Sequence, residues 1–177
     1  KTLGIIGYGE IGKATAKIAK QFGMNIIATR RLQKTNASNR FVDNLIPLSK
    51  INMLYKNSDF IVVACPLTPL TKNSISFNEF KLMKNNNYLI NIARGAIINE
   101  DALIQALKTK QISGAALDVF NKEPLPKNHP YFKIKNLFLS PHISGNFPEY
   151  QSDMINQFID NLIRFLNGKP LKNRICK

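Results

Sequence analysis

Residues Leu3 to Ala19 constrain the fold more than any other stretch. A short apolar run, Leu3-Gly4-Ile5-Ile6, leads into Gly7-Tyr8-Gly9-Glu10-Ile11-Gly12, and Lys13 to Ala19 continues with helical character. A G-x-G-x-x-G motif in that setting reads as strand, tight turn and helix start in direct succession. Each glycine has its own task. Gly7 lets the strand turn sharply, Gly9 leaves room for a pyrophosphate against the backbone, and Gly12 lets the helix lie close to the strand. The first helical amides then face an anion with the positive end of the helix dipole behind them. The motif predicts a dinucleotide site; an unliganded tight turn is the plainer alternative.

The rest of the chain repeats this alternation. Apolar strands are predicted at Asn25–Thr29, Asp59–Cys65, Tyr88–Ala93, Ile112–Val119 and Leu137–Ser140. Helical periodicity runs through Leu48–Tyr55 with Ser49 as a cap, through Phe77–Lys84, from a cap at Asn99-Glu100-Asp101 to Lys110, and through Phe147–Leu166, closed by Gly168-Lys169-Pro170. Arg30 to Asn44 reads as a polar loop. Continuously apolar strands belong to a sheet covered by helices on both faces, so the predicted class is α/β, a doubly wound parallel sheet of Rossmann type. The 177 residues are enough for one such domain, and 44% hydrophobic with 20% charged residues is a globular composition. The net charge of +14 comes from scattered lysines with no nucleic-acid motif, so a solvated basic face is expected, one that also favours anionic ligands. Cys65 and Cys176 match no metal spacing and read as free thiols of a cytoplasmic protein. No apolar run is long enough for a bilayer, and Lys1 leads straight into a core strand, as in a segment of a larger protein.

In such sheets ligands bind beyond the carboxyl ends of the strands. The strand ends carry Arg94, then Asp118 with Glu123 shortly after, then His142. An arginine can clamp a carboxylate and polarise a carbonyl. A histidine can exchange the proton of an alcohol while a neighbouring carboxylate sets its tautomer. Beside a nicotinamide, that set suits hydride transfer between a 2-hydroxy acid and a 2-oxo acid. His129, in Asn128-His129-Pro130, reads as a turn residue.

Six segments carry a resemblance. They are Gly4 to Gly12, Ala64-Cys65-Pro66-Leu67-Thr68, Asn91 to Gly95, Ala116 to Phe120, Glu123-Pro124-Leu125-Pro126 and Ser140-Pro141-His142-Ile143. In this order they resemble the cofactor-binding domain of the D-isomer-specific 2-hydroxyacid dehydrogenases, from Gly4 to about Pro170. The resemblance implies that Arg94 binds the substrate carboxylate and carbonyl, that His142 is the general acid/base, and that Glu123 is its paired carboxylate. It places Asp118 near the nicotinamide and Pro66 and Thr71 on the adenosine side. It extends the cofactor contacts to Ile11, Cys65, Ile92, Ala93, Ser144 and Gly145, and it implies a homodimer.

The sequence departs from the family at three places. Where an NAD site has an acidic residue about 20 positions after the glycines, this chain has Thr29-Arg30-Arg31. Two guanidinium groups suit a 2′-phosphate, so NADP is expected ahead of NAD, as in the glyoxylate and hydroxypyruvate reductases the segment resembles. Glu10 stands where the family often has a basic residue. Finally, the family builds its substrate cleft with a second domain that begins earlier in the chain. Residues 1–146 are therefore read as the dinucleotide-binding domain and 147–177 as a helix returning toward that domain. A corepressor-like, nucleotide-sensing module and a cofactor-binding remnant without turnover are the other readings.

Overall fold

The computed structural model describes residues 1–31 and 37–174. Its strands are β1 (Thr2–Ile6), β2 (Asn25–Arg30), β3 (Ala37–Asn39), β4 (Val42–Pro47), β5 (Phe60–Val63), β6 (Tyr88–Asn91), β7 (Gly114–Leu117) and β8 (Leu137–Leu139). Its α-helices are α1 (Glu10–Gln21), α2 (Ile51–Asn57), α3 (Phe77–Leu82), α4 (Glu100–Lys108) and α5 (Tyr150–Leu166). The strands form one sheet in the order β3-β4-β2-β1-β5-β6-β7-β8, and among the described residues only β3 runs antiparallel to its neighbour. This is the predicted Rossmann-type α/β architecture.

Alternation along each central strand explains the continuous apolar runs, because successive side chains point to opposite faces. Leu3 and Ile5 of β1, Ile26 and Ala28 of β2, and Val62 of β5 join Ala16 and Ala19 of α1 in one core. Ile6, Ile27, Ile61 and Val63 point the other way, into a core shared with Leu54 and Tyr55 of α2, Phe80 of α3 and Leu103, Ala106 and Leu107 of α4. Local chemistry sets the helix starts. Ser76 and Glu79 form a capping box on α3, and the Asn99 side chain accepts from the Ala102 amide at the start of α4.

Two expectations need correction. The polar stretch from Arg30 to Asn44 is not a loop throughout: β2 runs on to Arg30, and β3 and β4 form an antiparallel pair that continues the sheet. Residues 32–36 of that stretch, like Cys176, lie outside the described residues. The strand was hidden because Asp43 and Asn44 interrupt its apolar residues, yet Asp43 has a structural task. Its carboxylate accepts from the Ile26 amide at 2.7 Å and pairs with Lys20 of α1 at 2.7 Å, joining helix and sheet. Those contacts, Lys20 first, hold the Asp43 carboxyl below its ordinary range. Second, Ser49 caps nothing: it lies inside a 3₁₀ turn, Leu48–Lys50, and α2 starts at Ile51. The remaining ends shift by a few residues, as at Lys108 for Lys110 and Tyr150 for Phe147.

The chain divides into two compact units, Lys1–Ser144 and Gly145–Lys177. The first holds the whole sheet and α1 to α4. The second holds α5, which ends as expected: Gly168 adopts φ 62°, and the amides of Gly168 and Lys169 close on Phe165 and Arg164. The segment after it turns back, with the Lys172 amide donating to Asn161 Oδ1 at 2.9 Å. Among the described residues no helix is long and apolar enough to cross a membrane.

The join between β1 and α1 is tightly packed. A Cβ at Gly12 would press on the Gly7 carbonyl oxygen and lie 3.1 Å from Ile5 Cγ2. The backbone oxygen cannot swing aside as a side chain can. Gly12→Ala is therefore expected to cost about 1–3 kcal/mol of stability, read as a lower midpoint in urea unfolding at unchanged slope.

Candidate active site

Strand order reverses at β1. The chain leaves β1 through α1 to β2 on one side, while β5 to β8 continue on the other. Crevices beyond the carboxyl ends at such a point are where open α/β sheets bind ligands. A cavity of about 340 Å³ opens there, lined by Ile11, Ala64, Cys65, Pro66, Leu67, Ile92, Ala93 and Arg94. Six of the predicted site residues (Ile11, Cys65, Pro66, Ile92, Ala93 and Arg94) thus meet around one space. Burial pushes the Cys65 thiol above its ordinary range, so it meets the cavity as a neutral group. Thr71 instead closes the turn after β5: its hydroxyl donates to the Pro66 carbonyl at 2.8 Å and accepts from the Thr68 amide at 2.7 Å.

The glycine turn suits a phosphate group. Gly7 takes φ 103°, a backbone state that only glycine adopts without strain. Its Cβ would collide with the backbone of Ala64 and Cys65. Around Gly9 there is room, since a Cβ there would meet nothing within 4 Å. Beside the turn is a second cavity of about 540 Å³, whose lining includes Tyr8, Glu10, Lys13, Lys17, Arg30 and Arg40. Four cations thus face one space at the end of β2. Glu10 is neutralised locally: Lys13 bonds it at 2.7 Å and holds its carboxyl below the ordinary range. Arg31 is exposed and does not line this cavity.

Arg94 follows β6 on a turn held by Asn91. The buried Asn91 amide donates to the Arg94 carbonyl at 3.0 Å and accepts from the Ala93 amide at 3.0 Å. The exposed guanidinium donates to the Ala93 carbonyl, 2.6 Å away.

Glu123 and His142 come from the segments after β7 and β8. Glu123 Oε2 meets His142 Nδ1 at 2.7 Å, and Glu123 Oε1 accepts from the Phe120 amide at 2.9 Å. A carboxylate accepts only, so Nδ1 carries the hydrogen and Nε2 is the nitrogen that can exchange a proton. The His142 bond, then the Phe120 amide, and to a smaller extent the charge of Arg94, hold the Glu123 carboxyl below its ordinary range. His142 has φ 56°, uncommon for a residue with a Cβ.

Asp118 accounts for that backbone. Its Oδ1 accepts from the Ser140 hydroxyl at 2.6 Å and the Ile143 amide at 2.9 Å, and its Oδ2 from the Ser144 amide at 2.9 Å. One buried carboxylate thus holds the chain on both sides of His142. Burial opposes its ionisation, but the donors on Ser140, Ser144 and Ile143 outweigh burial and bring the carboxyl down to about 2. Ser144 enters the site through its amide, while Gly145 belongs to the second unit.

Three residues here were not among the predicted site residues. Arg40 and Asn39 reach the cavity beside the glycine turn only because β3 and β4 pair. Asn91 could have been noticed as a polar residue inside an apolar run, where a buried amide must find partners.

The sheet thus brings an arginine and a carboxylate–histidine pair to the carboxyl ends of its strands, the edge where open α/β folds bind ligands. Residues 1–144 match the family model described as D-isomer specific 2-hydroxyacid dehydrogenase, NAD binding domain. The chain belongs to that family. It is 44% identical over 177 residues to the glyoxylate reductase of Thermococcus litoralis, covering all of this chain and 52% of that protein. The structure of a D-isomer specific 2-hydroxyacid dehydrogenase family protein from Aeromonas salmonicida superposes with a TM-score of 0.89 at 34% identity, over 99% of this chain and 55% of that one. The NADPH-dependent glyoxylate/hydroxypyruvate reductase of Sinorhizobium meliloti, solved with NADP and sulfate, gives 0.86 at 25% identity, over 98% and 55%. The chain spans about half the length of the curated relatives it matches.

The Asp118 clamp has a defined pH dependence. Its folded value of about 2 lies below the ordinary 3.8, so its contribution is present above about pH 4–5 and is lost as the pH falls toward 2. Asp118→Asn is expected to destabilise the protein by roughly 2 kcal/mol at pH 7, and the gap to wild type should close on acidification. Urea unfolding at stepped pH measures it.

Proposed function

We propose that this chain forms the cofactor-binding and acid–base part of an oxidoreductase that interconverts a D-2-hydroxy acid and its 2-oxo acid, of glyoxylate or hydroxypyruvate type. The observation that carries this reading is the Glu123–His142 pair at 2.7 Å, on the sheet edge that also holds Arg94 and the glycine turn. The glycine turn, the open space at Gly9 and the adjoining cavity fit a dinucleotide. Once bound, a reduced nicotinamide supplies the hydride. Arg94 would hold the substrate carboxylate through paired N–H donors and polarise the carbonyl. His142 would give the proton on Nε2 to the carbonyl oxygen as the hydride reaches the carbonyl carbon, and Glu123 would stabilise the imidazolium that donates it. In the oxidative direction the same nitrogen takes the proton back.

The cofactor is read as NADP(H). Arg30, with Lys13, Lys17 and Arg40 around the same cavity, suits a 2′-phosphate, and among the described residues Glu10, which Lys13 engages, is the one acidic residue that lines it. The reading takes residues 1–146 as the cofactor domain and 147–177 as a helix directed to a second, substrate-binding domain. The exposed apolar residues of α5, among them Phe158, Leu162 and Phe165, are consistent with that use. It takes the protein as a cytoplasmic homodimer.

Two measurements test this. In the complete gene product, His142→Gln should lower kcat for glyoxylate reduction by about 10²–10⁴-fold while leaving the Kd for cofactor nearly unchanged; full activity would refute the mechanism. Arg30→Asp should cut the preference for NADPH over NADH by about ten- to a hundredfold, measured by fluorescence titration of both cofactors. A wild-type protein that binds both equally would refute the NADP assignment.

A further inference from the structure

The segment that presents Glu123 has neither strand nor helix from Val119 to His129. One carboxylate outside the site fastens it on both sides of Glu123. Glu100, the first residue of α4, accepts from Asn121 Nδ2 through Oε2 at 3.2 Å and meets His129 Nε2 through Oε1 at 3.0 Å. The imidazole tautomer follows from its other nitrogen. His129 Nδ1 accepts from the Tyr131 amide at 3.3 Å, so Nε2 carries the hydrogen and donates it to Glu100. His129 is thus the turn residue its sequence setting suggests, and it also carries a bond across the loop. Its ring packs edge-on to that of the buried Tyr131, with centroids 4.5 Å apart. An acid in the first turn of a helix is ordinarily there for the dipole. That accounts for the charge at Glu100 but not for two partners on opposite sides of a loop.

The other end of this connection is Arg94. The Arg94 turn runs directly into α4 through Asn99, which caps the helix. Gly95 lies against the backbone of the Glu123 segment: a Cβ there would strike the Phe120 carbonyl group and the Asn121 amide. Glu100 is therefore joined to Arg94 through a short, capped stretch of chain and to Glu123 through two hydrogen bonds.

We propose that Glu100 is a positioning residue. By clasping Asn121 and His129 it sets the place of Glu123, and through Glu123 the His142 ring, relative to Arg94. The inference rests on the roles given above to Arg94, Glu123 and His142. A clasp of this kind acts on the acid–base geometry, since it touches no residue of the glycine turn.

The test is a double-mutant cycle in the complete gene product, reading kcat and both KM values for glyoxylate reduction with NADPH. Glu100→Ala and the milder Asn121→Ala should each lower kcat by about tenfold or more, because small misplacements of reacting groups are costly, and should leave the cofactor KM unchanged. In a Glu123→Gln background neither should lower kcat further, because the clasp acts through Glu123. Losses that multiply in that background would make the clasp merely structural and overturn the proposal, as would wild-type kcat in both single variants. Should Glu100→Ala fail to fold, Asn121→Ala carries the same comparison. The two readings fail differently: unchanged kcat in Glu123→Gln alone would strike the Glu123–His142 pairing, whereas a low kcat there with an intact one in Asn121→Ala and Glu100→Ala would strike only the clasp.

Discussion

Parallel pairing of β1 with β2 on one side and β5 on the other is the constraint on which the rest depends. Parallel strands bring all their carboxyl ends to one edge, so every segment leaving the sheet there faces the same space. The glycine turn, the Pro66 turn, the Arg94 turn and the two segments carrying Glu123 and His142 are neighbours for that reason alone. The pairing in turn requires α1 to lie close on β1, which Gly12 permits, and requires the chain to reverse at Gly7 without a side chain meeting Ala64 and Cys65.

Carboxylates tie together separate segments of this strongly basic chain. Asp43 joins α1 to β2 and β4, Asp118 holds the chain around His142, and Glu100 spans the loop that carries Glu123. The chemistry behind this is simple. A carboxylate offers two acceptor oxygens to several donors at once, and segments without regular structure have backbone and side-chain donors to satisfy. With 11 acidic residues against 25 Lys and Arg, charge neutralisation alone does not require acids at these positions. Their hydrogen-bond partners explain them better.

Charge is unevenly distributed along the edge of the sheet where the strands end. Cations gather where an anionic cofactor end would lie, at Arg30, Lys13, Lys17 and Arg40. The Glu123–His142 pair lies at the far strands, with the Phe120 amide on Glu123 and Asp118 holding the chain on both sides of His142.

The strand–glycine–helix start, the apolar runs and the turn residues that end them are local signals, so the α/β class and the candidates Arg94, Glu123 and His142 were legible in the sequence. Helix caps such as Asn99 were legible too, because capping is a contact between near neighbours. The β3–β4 pair was not, since Asp43, one of the polar residues that interrupt β4, makes sense only beside Lys20 and the Ile26 amide. Nor was the task of Asp118 or of Glu100, each of which bonds residues more than twenty positions away in the chain. What the residues determined by themselves was periodicity, turns and chemical capacity, because these depend on neighbours in the chain. The distances, partners and ionisation states that turn capacity into a site were decided by tertiary structure alone, because they depend on which strand ends the sheet brings side by side.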